Sequence, residues 1–136
     1  MTVLVLLHLA GASLWLGGLV TLALAVVVAL RALPRESFRP FVRQAGWAFA
    51  GLSAVSWLLI GVSGALMGDR LGWPAPVQTK AALGAAVLVA AALHVVTGRL
   101  TASRAAVLTS RALAALVFAG TLVVFWLGVQ VSTGAA

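Results

Sequence analysis

The chain has 136 residues, 63% of them hydrophobic and 8% charged, with a formal net charge of +7 and a mean hydropathy of +1.17. A soluble domain of this size does not carry so apolar a surface, so the composition is that of a membrane protein. The lack of Cys excludes disulfides, thiolate metal sites and iron–sulfur clusters, and the lack of Tyr excludes tyrosine ligands and radicals. The only acids, Glu36 and Asp69, fall between apolar runs, so paired-carboxylate catalysis has no residues to use. The basic residues lie in short segments without an aromatic ladder, which excludes a nucleic-acid surface and fits membrane-flanking Arg. Eight of them are Arg, and the single Lys, Lys80, stands at the edge of an apolar run.

Four apolar runs meet the length of about 20 residues that a spanning helix needs. The first covers positions 2–33. It lacks a basic n-region and is too long for a signal h-region, so it reads as a retained span. A basic, proline-marked connection follows, with Arg31, Pro34, Arg35, Glu36, Arg39, Pro40 and Arg43. The second run covers 45–67 and ends in the turn GDRLGWPAP. The third covers 77–97. The connection at 98–111 carries Arg99, Arg104 and Arg111, and the fourth run covers 112–131 before a short polar tail. The pattern predicts one all-α membrane domain over 1–136, a four-helix transmembrane bundle of up-down topology. The Arg-rich first and third connections belong in the cytoplasm, which puts both termini outside, with Trp73 as an outer interfacial anchor.

Within the first run His8 is the only titratable side chain, and an intramembrane histidine is a functional candidate by default. Trp15 lies two turns further on the same face, with Gly11 and Ala12 between. Those small residues admit either a ligand or a neighbouring helix. On the third run Lys80, Gly84, Val87, Ala91, His94 and Gly98 form one stripe, with His94 about 21 Å from Lys80 along the axis. On the predicted topology His8, Met67, Lys80 and Gln130, with Met1 or Gln78, gather in the outer leaflet, and His94 lies near the cytoplasmic side. Axial ligands of one haem must share a depth, so a haem bridged by His8 and His94 in one protomer is excluded. A haem shared by two copies of His8 across a dimer stays open. Ordinary roles stand beside these: His8 bonding a neighbouring backbone or Gln130, His94 and Lys80 snorkelling, Met67 packing.

The segment H-x6-W-x-G-G-L, here His8, Trp15, Gly17, Gly18 and Leu19, resembles the first helix of copper-resistance protein D (CopD)-type membrane proteins. The later QTKAALGAAVLVAAALH, with Lys80 opening an apolar helix, is similar to the same family. The resemblance implies copper transport or homeostasis in a bacterial cytoplasmic (inner) membrane, working with an extracytoplasmic copper-binding protein. Imidazole and thioether suit copper, and the metal-ligand candidates are His8, Met67 and His94. The early His, the following Trp and the Lys also resemble HemJ-type protoporphyrinogen oxidases, which bind haem b. That similarity implies haem contacts from His8, as axial ligand, and Lys80; shared depth adds Met67 and Gln130 as cofactor contacts, with Trp15 as the floor of the pocket. The aromatic, Pro- and Arg-containing continuation of that family is missing after Gly18. A third reading is a structural or assembly subunit of a larger membrane complex. Enzymatic activity is left open, with no catalytic residue assigned.

Overall fold

A computed structural model describes residues 1–99 and 104–133. The part of the predicted third connection at 100–103, and the tail at 134–136, lie outside the described residues. The protein is all-α: α1 (Thr2–Ala32), α2 (Arg35–Leu71), α3 (Ala75–Arg99) and α4 (Arg104–Thr133), with no strand among the described residues. All four helices are long and apolar enough to cross a membrane, so this is a multi-pass membrane protein.

The helices run past the apolar spans. The basic segment at 31–43, expected as a connection, is almost wholly helical, and α2 already begins at Arg35. Arg and Glu are good helix formers, and hydropathy marks depth in the bilayer rather than where a helix stops. With 37 residues α2 is about 55 Å long, well beyond a hydrocarbon core of about 30 Å. The break between α1 and α2 is only Leu33 and Pro34. Leu33 is extended, at φ −101° and ψ 143°, as a residue before proline must be. The Pro34 carbonyl then accepts the N–H groups of Ser37 and Phe38 and so opens α2. Pro74 does the same for α3, accepting from Val77 and Gln78. Before it the backbone passes through Gly72 (φ 72°) and Trp73 (φ 50°), a left-handed pair that is unusual for a tryptophan. The Gln78 amide donates to the Trp73 carbonyl at 2.6 Å and braces the turn. Gln78 therefore serves this turn.

Two compact units are present, Met1–Arg70 and Leu71–Ala136. In the first, α1 and α2 pack antiparallel. A Cβ placed on Gly11 would lie 2.9 Å from the Ser56 carbonyl oxygen and from Leu59 Cβ; one on Gly18 would lie 2.9 Å from Leu52 and Phe49. Helices in lipid gain no hydrophobic drive from each other, so contact depends on small residues that let backbones approach. Gly11 and the fully buried Ser56 are that crossing point. The Ser56 hydroxyl donates to the Leu52 carbonyl at 2.9 Å and so adds no unpaired polar group to the interface.

In the second unit α3 and α4 also pack antiparallel. A Cβ on Gly120 would lie 2.7 Å from Val87, and one on Gly128 would lie 2.9 Å from Lys80 Nζ. Val87, Ala90, Val117 and Thr121 are buried, and the Thr121 hydroxyl donates to the Val117 carbonyl at 2.7 Å. Lys80, Val87 and His94, members of the predicted stripe, all meet α4.

The first unit yields a contrast between two glycines. Gly11→Ala should lower stability by about 1–3 kcal/mol, because backbone on α2 blocks the new methyl. Gly17 has nothing within 4 Å of its Cβ position. Gly17→Ala should be neutral or stabilising by up to about 1 kcal/mol through helix propensity. Unfolding of both variants in detergent micelles, followed by circular dichroism, checks the pair.

Candidate functional site

The candidate site is built where α1 lies against the C-terminal half of α2. Ser56, Ile60, Ser63 and Met67 recur at helical spacing and share one face of α2. His8 sits on the α1 face that also carries Gly11, Trp15 and Gly18. Once Gly11 is seated on Ser56, His8 falls one turn further along, level with Ile60 to Gly64. Its Nδ1 lies 3.1 Å from the Ile60 carbonyl oxygen and 3.1 Å from Ser63 Oγ. A carbonyl oxygen can only accept, so Nδ1 carries the proton and donates. The Ser63 hydroxyl directs its own proton to the Leu59 carbonyl, leaving its oxygen as a second acceptor for His8. A neutral ring held this way is the Nδ1–H tautomer, in which Nε2 carries the lone pair.

Gly64 makes this possible. A Cβ there would lie 3.2 Å from His8 Cε1, so a larger residue would push the ring away. Below the imidazole the contact is aromatic. Trp15 is 5% exposed, with its ring centroid 5.5 Å from that of Phe49 and 5.2 Å from that of Trp57, the latter edge-on at 69°. Trp57 Nε1 is buried without a hydrogen-bond partner among the described residues. The face bearing Gly11 and Trp15 is thus filled by α2.

Met67 is half-buried, one turn beyond Ser63 on the same α2 face, about 6 Å further along the axis. His8, Trp15 and Met67 all belong to the first unit. Lys80, His94 and Gln130 belong to the second. There Lys80 lies over Gly128, two residues before Gln130. His94 stands at the other end of the same helix, with Nδ1 2.9 Å from the Ser110 carbonyl oxygen and 3.1 Å from Ser110 Oγ. Lys80 and His94 are therefore not brought together. The unit 71–136 contains no Asp or Glu.

Both histidines are held in the same way: Nδ1–H on a backbone carbonyl and a serine hydroxyl of the antiparallel partner helix. Sequence reasoning missed Ser63 and Ser110 as their partners. Ser63 carries a signal, since it shares a helical face with Ser56 and Met67. Ser110 carries none, because its role depends on the α3–α4 register. Among the described residues no group of three His, Cys, Asp or Glu side chains is placed to hold a metal.

The ring geometry can be tested directly. In nitrogen-15 NMR spectra of histidine-labelled protein, His8 should show a protonated Nδ1 and an unprotonated Nε2. Ser63→Ala should keep that tautomer, since the Ile60 carbonyl remains. Gly64→Leu should abolish the tautomer preference by displacing the ring.

The sequence model of a family described as Domain of unknown function (DUF4149) matches residues 10–108. The matched segment begins just after His8 and includes Trp15, Met67, Lys80 and His94. Neither a curated protein nor a solved structure matches the chain.

Proposed function

The chain belongs to the DUF4149 family, and from its own residues we propose that it handles copper in the bacterial cytoplasmic membrane. The observation that carries this reading is the His8 Nδ1–H bond to the Ile60 carbonyl. Histidines that ligate metals are generally anchored through the other ring nitrogen in this way, which fixes the ring and raises its basicity. In this reading the ring ligates through its other nitrogen, Nε2. The Met67 thioether, on the α2 face that holds the ring, supplies the soft ligand that favours Cu(I). The ion is cargo in this reading, and the protein's part is to present a neutral imidazole and a thioether in a medium that strips water from the ion. His94, anchored in the same manner on Ser110, is a further ligand on the cargo's path.

Haem b fits less well. A macrocycle needs an open face beside its axial histidine, and the α1 face next to His8 is taken up by Ser56 and Leu59 at Gly11 and by Phe49 and Trp57 at Trp15. The excess of Arg in the first and third connections supports cytoplasmic placement of those connections and an extracytoplasmic position for both termini. His8 and Met67 would then take up copper on the outer side, from a soluble extracytoplasmic copper-binding protein.

Purified protein loaded with Cu(I) and desalted should retain about one copper per chain, with the stoichiometry read by elemental analysis. His8→Ala should weaken retention at least about tenfold, the lower end of what disturbing a metal site costs. A Soret band in the protein as isolated, or copper retention unchanged in His8→Ala, contradicts the proposal.

A further inference from the structure

The first unit carries a groove that the copper reading does not use. It runs along the junction of α1 and α2 on the half of the hairpin away from His8. Two adjoining hollows make it up, of about 500 and 460 Å³, and they share Thr21 and Ala25. Its lining is mostly apolar, from Ser13 and Leu14 at one end through Gly17, Ala25 and Val28 to Leu33 and Phe41 at the other. Gly17 is exposed and faces open space at its Cβ position, so the groove is unfilled there.

The two ends differ in charge. The Gly17 end has no ionisable residue near it in either helix. The Leu33 end lies at the turn between α1 and α2, where Arg31 closes α1 and Arg35 opens α2, both exposed, with Arg39 one turn beyond. Glu36 is the only acid in that stretch. From Gly17 to Ala32 the axis covers about 22 Å, more than the roughly 15 Å half-thickness of a hydrocarbon core. A slot of that length, apolar along its run and cationic at one mouth, matches the two parts of a phospholipid.

We infer that this groove holds an anionic diacyl phospholipid, with one acyl chain along Val28, Ala25 and Gly17 and the phosphate at Arg31 and Arg35. Apolar complementarity alone would accept any lipid. The arginines add the preference for a net negative headgroup, which basic residues at the end of a membrane helix commonly provide. The acyl chain fills a hollow that the small residues of α1 leave open and that α2 does not reach.

Native mass spectrometry of the full chain in detergent tests this, with phosphatidylglycerol and phosphatidylcholine of identical acyl chains added in equal amounts. The wild type should keep a one-to-one phosphatidylglycerol adduct at least fivefold more abundant than the phosphatidylcholine adduct. The double variant Arg31→Gln, Arg35→Gln should bring the two adducts to equality. Gly17→Leu, which puts a side chain into the open Gly17 position, should reduce both adducts. Ala25→Leu is the second filling variant should Gly17→Leu lose helicity by circular dichroism. Equal retention of both lipids by the wild type overturns the inference. So does a lipid-free dimer that Gly17→Leu dissociates, since a second copy would then be the occupant. Phosphatidylglycerol preference unchanged in the arginine variant overturns it as well.

Discussion

The approach of α1 to α2 at Gly11 is the constraint on which the first unit depends. In a bilayer, apolar side chains are as well solvated by lipid as by each other, so a helix pair is held by close backbone contact and by polar groups that need partners. Gly11 supplies the contact, against the Ser56 carbonyl and Leu59. That contact fixes the rotation and the axial register of the pair. His8, one turn away, is then carried onto the Ile60 carbonyl, and Trp15, one turn the other way, between Phe49 and Trp57. A residue larger than glycine at position 11 would separate the helices and take the imidazole off its acceptors.

Polarity and packing support each other here. An imidazole in hydrocarbon has to place its N–H on an acceptor or lose several kcal/mol. A helix offers few acceptors, because its carbonyls already serve its own i+4 bonds. The Ile60 carbonyl takes a second donor because Gly64, four residues on, leaves its side open to the ring. Ser63 adds a hydroxyl oxygen whose proton is already committed to Leu59. The second unit repeats the scheme with His94 on Ser110. Lys80 is treated differently: it lies along Gly128, in a unit whose sequence has no Asp or Glu.

Much of this was legible in the residues, and the failures have physical causes. The four spans were visible because about 20 apolar residues in a row have few other uses. The helix ends were not, because the Arg-rich segment at 31–43 is polar but helix-favouring, and only Leu33 and Pro34 interrupt it. His8 stood out as a titratable group in an apolar run. Its acceptor could not be read, since a backbone carbonyl has no letter of its own and is chosen by the register of two helices. Gly11 admitted two readings, a ligand-facing gap or a helix contact, and the neighbouring Ser56 carbonyl decides for the contact. Gly64, the residue that makes room for the imidazole, looked like one more small residue in a helix full of them.

On the proposed function, the anchored His8 and Met67 together present one copper ion with an imidazole and a thioether. X-ray absorption at the copper edge of the Cu(I)-loaded protein addresses it most directly. Imidazole nitrogen scattering together with a sulfur shell is expected, the sulfur shell vanishing in Met67→Leu and the imidazole signal vanishing in His8→Ala. A shell of light atoms alone, or a sulfur shell that survives in Met67→Leu, would contradict it.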